Sequence, residues 1–586
     1  MAYTPTSISR TKIIYKVFLI VIFATTNLSI LVVSSWESNS FFGLYKWLQV
    51  IIFIILLLYF LSKISRIIGL FLSTIIYLLY LSIFIYLALF GNNPNFYFIK
   101  RITQSYSHNI ILSLIYYLII LSFVALLNCL FIEKIRLKIK NKTIYLVLLI
   151  VTLVQFFIFP SASNELFISV RALFCKDNVI EYYQNEYLDL IQKSEKNREN
   201  IISQAQKINQ NETPSYLDNI IILQVESLNG FLVNEKITPV FLKIAKNGIL
   251  FPKFYSNSIE TILAQENLLC SIPGSFESTL VASGFDKKII CWPEIMKYLG
   301  YKTFFLKSYD LGFTKTGEFM QNLHFDEIHA NDLMSKDDPQ YFWGFREDIF
   351  YQKAFSYIQK NKERHNFLYI EIGPTNHWPF ITPLELKNSV PYKNPKNHRE
   401  RIINTTFLQD KYLTIAWEDI NQLFPEKNYT LLILGDHSWP AEFHQNNTFN
   451  QRMAFEENFT TSLVLIMGNE EKYKNRKING AYSHLDLLPT FLDSFGINYP
   501  ENKFSQSFWP ELNGKEKLNN KFIPLIQPSD YKCPLSFINN NLKYQYNSDK
   551  EQIIFYDLEK DPGEKNGQVL NSVAGENIKI IKELLE

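Results

Sequence analysis

The chain has 586 residues, enough for more than one domain, and its 58 basic against 56 acidic residues leave a formal net charge of +2. A balance so close to neutral excludes the strongly basic face that a nucleic-acid partner requires. Roughly the first 160 residues are dominated by Ile, Leu, Phe and Tyr and the rest has ordinary globular polarity, the pattern of a membrane domain followed by a water-facing one.

In chain order, five apolar runs are long enough to span a bilayer, which takes about 20 helical residues. They are residues 13–33, 44–61, 67–90, 110–132 and 143–159. The first ends without a small-residue cleavage site and four more runs follow, so it reads as a retained anchor rather than a signal peptide. Arg10, Lys12 and Lys16, then Lys63 and Arg66, then Lys134, Arg136, Lys138, Lys140 and Lys142 fall on one side if the N-terminus is cytoplasmic. The opposite side carries Lys46, Lys100 and Arg101. Five spans from an inside N-terminus put everything after Pro160 outside the cytoplasm. No acidic or basic residue lies deep in a span, which argues against an ion pathway and for an anchor.

Residues 161–218 form a polar connector. Spaced Ile and Leu from Tyr182 to Ile208 predict a helix lying along the membrane surface or along the next domain. From Asn219, apolar strand-like runs at 220–225, 249–255, 303–306, 367–372, 431–434 and 462–467 alternate with helical patterns at 239–246, 263–269, 292–299, 348–359, 404–423 and 485–495. That alternation predicts an α/β sheet covered on both faces over residues 219–586. No Gly-rich phosphate loop opens any of these helices, so no nucleotide cofactor is expected. Of five cysteines, Cys129 lies in an apolar run, whereas Cys175, Cys270, Cys291 and Cys533 lie in the water-facing part and permit disulfides without specifying them.

The chemistry gathers at strand ends. Leu431-Leu-Ile-Leu-Gly-Asp-His437 is a buried strand that stops at Gly435 and delivers a carboxylate and an imidazole to the sheet's C-terminal edge, where open α/β sheets bind ligands. Ile220-Ile-Ile-Leu-Gln-Val-Glu-Ser227 delivers Glu226 in the same way. Strand 249–255 leads through a loop into a helix that starts near Thr261. A hydroxyl there is ordinarily an N-cap, yet free N–H groups and a metal at that place also suit a nucleophile. Ser483-His-Leu-Asp486 reads structurally, as a capped helix start.

With Trp343-Gly344, Thr375-Asn-His-Trp-Pro379 and Tyr556-Asp-Leu-Glu-Lys-Asp-Pro-Gly-Glu564 in the same order, these motifs resemble the sulfatase-type branch of the alkaline phosphatase superfamily. The preceding spans make the membrane-anchored lipoteichoic acid synthases and phosphoglycerol transferases the nearest likeness. The resemblance implies a five-helix transmembrane bundle (1–160) before an extracytoplasmic α/β sandwich of alkaline phosphatase/sulfatase type. It implies that Glu226, Thr261, Asp436 and His437 surround one divalent metal, with Thr261 as nucleophile. His377 and His444 match histidines near the substrate, and Trp292 matches a substrate-site Trp. Three oxygens and one nitrogen suit Mn2+ first, with Mg2+ or Zn2+ as alternatives. Cys270 and Cys291 match a cysteine pair of the phosphoglycerol transferases, which implies a disulfide, consistent with an oxidising compartment.

The implied reaction moves phosphoglycerol from phosphatidylglycerol, through a covalent phospho-threonine, to a glycan or lipid acceptor. The implied location is the bacterial cytoplasmic (inner) membrane, multi-pass, with catalysis on the periplasmic or extracellular side. Two residues after Trp292 the synthases carry an Arg that helps hold glycerol phosphate, whereas Glu294 stands here. The headgroup is therefore open between glycerol and ethanolamine, with Glu294 or Glu260 facing an ammonium in the second case. A non-catalytic glycan-binding membrane protein is the alternative from another class. Sulfate-ester hydrolysis through an aldehyde nucleophile needs a Cys or Ser followed by Pro and Arg, and Ser271-Ile-Pro273-Gly-Ser275 lacks the Arg.

Overall fold

The computed structural model describes parts of residues 51–145 and the chain from Asp177 to residue 585, apart from short segments of which 445–453, 516–521 and 571–576 are the longest. The expected span 13–33, Cys175 and Cys533 lie outside the described residues. The chain divides into two units, one formed by 1–99 with 108–175, the other by 100–107 with 176–586.

In the first unit, α1 (Arg66–Phe90) is a 25-residue helix with one charged residue, at its start. Ile54, Leu58, Tyr77, Ala125, Cys129 and Ile132 pack into its core. Arg66 Nε donates to Glu133 Oε1 at 2.8 Å, which brings the start of α1 beside helical residues 132–134. Only part of α1 has described side chains, and among the described residues no helix is long and apolar enough to cross a membrane.

The second unit opens with α2 (Asn178–Ala205), capped by Asp177, whose side chain accepts from Val179 and Ile180 N–H. Its apolar stripe, including Tyr183, Tyr187, Leu190 and Ile191, is buried. Tyr183 OH donates to Gly274 O at 3.1 Å and Gln184 Nε2 to Ser275 Oγ at 2.8 Å. The helix of the connector therefore lies along the α/β domain.

The central sheet is built from β1 (Asn219–Val225), β2 (Ile249–Tyr255), β3 (Lys302–Lys307), β4 (Glu327–His329), β5 (Asn366–Ile372), β6 (Tyr429–Gly435), β7 (Thr460–Met467), β8 (Arg476–Lys477) and β9 (Tyr482–Ser483). Their order is β4-β3-β5-β1-β6-β7-β2-β8, with β9 beside β2. The run from β4 to β6 is parallel, and β7 runs against both β6 and β2. Strands β1, β5, β6 and β7 are buried along their whole length. This explains why they read as unbroken apolar runs rather than alternating ones. Helices α3 (Pro239–Ala245), α4 (Thr261–Cys270), α5 (Trp292–Tyr298), α6 (Glu347–Asn361), α7 (His398–Leu423) and α8 (Leu487–Ser494) cover it.

A second, antiparallel sheet follows: β10 (Ile523–Ile526), β11 (Leu535–Asn539), β12 (Leu542–Asn547), β13 (Gln552–Asp557) and β14 (Gln568–Val569). The first sheet matters most for function, because β1, β2, β3, β5 and β6 all point their C-terminal ends to one edge.

Candidate active site

At that edge β1 and β6 are neighbours in parallel register, Val225 opposite Gly435. The next residues, Glu226 and Asp436, therefore emerge side by side, fixed by Glu226 N–H to Ile372 O at 2.9 Å and Asp436 N–H to Val225 O at 3.1 Å. Gly435 is required here. A Cβ on it would stand 2.2 Å from Thr461 Oγ1 and 2.8 Å from Leu228 Cβ. Ser227 turns the chain away with a left-handed φ of 51°. Its N–H donates to Asp436 Oδ1 at 2.9 Å and its hydroxyl to Glu226 Oε1 at 2.7 Å.

Thr261, at the first turn of α4, donates from Oγ1 to Asp436 Oδ2 at 2.9 Å. His437 Nε2 lies 3.4 Å from Asp436 Oδ2 and 3.7 Å from Glu226 Oε1. Its Nδ1 is 3.1 Å from Ser438 O. A carbonyl only accepts, so Nδ1 carries the proton and Nε2 turns its lone pair toward the carboxylates. One ligand atom each from Glu226, Asp436 and His437 lies within 4.8 Å of the others, and all three residues are buried. Burial first, then the Asp436 charge, push the Glu226 carboxyl well above its ordinary range. Two buried carboxylates facing one imidazole lone pair and one hydroxyl form a hard, oxygen-rich set that fits a divalent cation.

A supporting layer was not anticipated. Asn376 Nδ2 donates to both Glu226 O and Ser227 O at 3.2 Å, while its Oδ1 accepts from Thr405 Oγ1 at 2.7 Å. Glu371 accepts from Gln265 Nε2 at 2.6 Å and from Tyr309 OH, and pairs with Lys307 Nζ at 3.3 Å. His484 Nε2 lies 2.9 Å from Gly435 O, and burial pushes its pKa down to about 4, so a neutral ring braces β6. The available signal was a charge inside an apolar strand: Lys307 ends Thr303-Phe-Phe-Leu-Lys, and Glu371 interrupts Tyr369-Ile-Glu-Ile372.

The other sequence-derived residues divide. His377 is half-buried beside Asn376, its ring 4.4 Å from that of Trp343 and its Nδ1 3.0 Å from Trp378 O. It belongs to the rim of the site rather than to the cluster. His444 is buried, with Nδ1 3.3 Å from Glu457 Oε2 and Nε2 3.4 Å from Glu564 Oε1. Both nitrogens face structural carboxylates, so the expected phosphoryl contact is not what its contacts provide.

Trp292 is corrected outright. It is 0% exposed and packs on Phe367, at the start of β5, and on Phe491, so it is a core residue at the opposite edge from the cluster. Glu294 is gripped by both terminal nitrogens of Arg198 on α2 and faces that helix rather than a headgroup. Glu260 holds the N-cap position before Thr261 without a capping hydrogen bond. Cys270 and Cys291 form a disulfide that ties the end of α4 to the start of α5.

Residues 218–497 match the family model for Sulfatase. A Δ4,5-hexuronate-2-O-sulfatase of Bacteroides thetaiotaomicron is 27% identical over 146 residues, covering 24% of this chain and 30% of that protein. The match thus spans less than a third of that relative. The structure of lipoteichoic acid synthase LtaP from Listeria monocytogenes superposes with a TM-score of 0.51 at 18% identity, covering 66% of this chain and 95% of that one. A protein of the alkaline phosphatase superfamily from Vibrio parahaemolyticus gives 0.49 at 16% identity, over 70% and 96%. The fold is therefore an α/β fold like that of LtaP. Within it, residues 218–497, just under half of the chain, are similar to the Sulfatase family.

Proposed function

We propose that the protein transfers a phosphoglycerol headgroup from phosphatidylglycerol to an extracytoplasmic glycan or lipid acceptor, with Thr261 as covalent nucleophile. One observation carries this reading. The Thr261 hydroxyl stands at a helix N-terminus, hydrogen-bonded to Asp436 inside the Glu226–Asp436–His437 cluster. A threonine cannot become the aldehyde that sulfate-ester hydrolases use. Ser271, the only residue near Pro273 that matches part of that motif, is buried at the far end of α4.

Glu226, Asp436, His437 and Thr261 would hold one divalent cation, Mn2+ first, with Mg2+ or Zn2+ as alternatives. When bound, such an ion supplies Lewis acidity and lowers a hydroxyl's pKa. The chain's own groups do the rest. Asp436 Oδ2 orients Oγ1 of Thr261, and the first N–H groups of α4 favour anionic oxygen. The Oγ–phosphorus bond forms as the bond from phosphorus to the diacylglycerol oxygen breaks, and that oxygen leaves as a hydroxyl after taking a proton. His377, at the rim, is placed to serve the leaving and attacking oxygens.

The membrane setting belongs to the same proposal: a multi-pass anchor in a bacterial cytoplasmic membrane, with the catalytic domain on its outer side. An anchor keeps the site within reach of lipid headgroups. Ethanolamine transfer loses one of its two supporting features, because Glu294 is held by Arg198, while Glu260 stands directly before Thr261. The test is release of diacylglycerol by the full chain in mixed micelles with Mn2+ and either phosphatidylglycerol or phosphatidylethanolamine. Release from the glycerol lipid, abolished by Thr261→Ala, supports the reading. Release from the ethanolamine lipid alone replaces the donor, and equal release by Thr261→Ala removes the nucleophile.

A further inference from the structure

The chain that follows β5 leaves large apolar side chains in water. Residues 381–401 begin four positions after His377, at the same edge of the sheet as the cluster. Ile381 is 56% exposed and Leu384 77%, and Tyr392 and, in the loop after β6, Phe443 are exposed as well. The segment is held from beneath, so these tips do not fold back into the core. Val390 is buried in the main core and Leu386 packs against it. The side chain of Asn404 on α7 accepts from Tyr392 N–H at 2.8 Å and donates to Tyr392 O at 2.7 Å. Lys411 Nζ donates to Ser389 O at 3.0 Å. Phe380, Ile402, Trp439 and Ala441 form a second apolar cluster that ties this segment to the loop after β6.

The same stretch is basic. Lys387, Lys393, Lys396, Arg399 and Arg401 stand against Glu385 and Glu400, a net charge of +3 in a chain whose total is +2. Both acids are engaged: Glu385 pairs with Arg346 Nη1 at 3.2 Å, and Glu400 accepts from Lys396 N–H at 2.6 Å. The three lysines are exposed, and Arg399 lies 4.5 Å from the centre of the Phe443 ring. His398 adds no charge near neutral pH, because burial and then Arg401 pull its pKa down to about 4. Its Nε2 accepts from Trp439 Nε1 at 3.2 Å. Single apolar side chains set between exposed lysines differ from a protein-docking face, which offers a contiguous apolar area on the order of several hundred Å2. Apolar tips that enter the acyl boundary, with Lys beside them at headgroup level and a Tyr at the interface, suit an anionic bilayer surface.

We propose that residues 381–396 and Phe443 dock the rim of the site onto an anionic bilayer surface, with Ile381 and Leu384 in the acyl boundary and Lys387, Lys393 and Lys396 against lipid phosphates. The proposal goes beyond the transferase reading and rests on it only for its purpose, which is to bring a lipid phosphate to the edge where Thr261 stands.

The test is backbone hydrogen exchange of the full chain, held in nanodiscs of phosphatidylcholine alone or of phosphatidylcholine with phosphatidylserine. Phosphatidylserine supplies negative charge without being the proposed donor, so occupancy of the site by substrate does not enter. Exchange across residues 381–396 is expected to slow by about threefold or more in the anionic discs, and Ile381→Asn/Leu384→Asn should remove the slowing. Equal exchange in the two kinds of disc, or slowing that the double variant keeps, overturns the proposal. Slowing in detergent that grows with protein concentration assigns the face to a second copy and also overturns it. The Thr261 adduct from phosphatidylglycerol is read separately on the wild type. Slowing without an adduct overturns the transferase reading and leaves the lipid contact standing, whereas an adduct without slowing does the reverse.

Discussion

At the scale of single residues, the site depends on charges placed where water does not reach. Lys307 and Glu371 are each 1% exposed and 3.3 Å apart. Burial pulls the Lys307 ammonium below its ordinary range, and the Glu371 charge works against that. Removing one partner strands the other, which costs about 3–5 kcal/mol in comparable buried pairs. Lys307→Met is therefore expected to destabilise by roughly that amount in denaturant unfolding, and Lys307→Met/Glu371→Leu by clearly less than the sum of the single variants. Strict additivity would show that the pair is not coupled. The clustered Glu226 and Asp436 could be placed side by side from sequence because each follows an apolar strand: Val225 precedes Glu226 and Gly435 precedes Asp436. Trp292 and Glu294 could not be placed, because sequence order puts them near the cysteine pair without saying which way α5 turns them. One faces the core and the other meets Arg198, 96 positions earlier.

At the scale of elements, loops that carry functional side chains are held by buried acids. Glu347, the first residue of α6, accepts from the Thr375 N–H at 2.9 Å and from the Thr375 hydroxyl. It thereby fixes the turn that presents Asn376 and His377. Burial raises its pKa from 4.5 to about 7. Between those values the unfolded chain releases a proton that the folded chain keeps, so stability falls as pH rises from 4.5 to 7 and is level above it. The span is roughly 3 kcal/mol. Glu347→Gln should flatten this part of the stability–pH curve, and an unchanged slope would assign it to another group. The Cys270–Cys291 bond closes a loop with a sequence separation of 21. Its replacement by two serines should cost about 3 kcal/mol in thermal unfolding, with α4 and hence Thr261 the first element loosened.

The central strands were legible as unbroken apolar runs. The second sheet was not: Leu542-Lys-Tyr-Gln-Tyr-Asn547 alternates polar residues, and its Lys543 is fully buried only because Glu564 pairs with it. That partner lies in a turn beyond the next strand, which no local pattern announces.

At the scale of the molecule, an apolar N-terminal unit and a domain similar to the Sulfatase family share one chain. The apolar runs of the sequence set the expectation of a bilayer, and the strand ends bring Glu226, Asp436 and His437 together. Neither names the headgroup, because headgroup recognition is built from side chains far apart in sequence. A cation that binds the folded domain alone stabilises it by about 2.7 kcal/mol at 100 times its dissociation constant. Mn2+ should therefore raise the unfolding temperature of chelator-treated protein by several degrees, and Asp436→Asn should abolish the rise. A rise that survives that substitution would place the ion elsewhere.

The central claim is a phosphoryl bond to one hydroxyl. The direct measurement is the intact mass of the full chain, with peptide mapping, after incubation with phosphatidylglycerol and Mn2+ in the absence of acceptor. The account predicts a gain of one phosphoglycerol, located on Thr261 and absent from Thr261→Ala. Metal-loaded protein that gains no mass, or gains it at another residue, would contradict it.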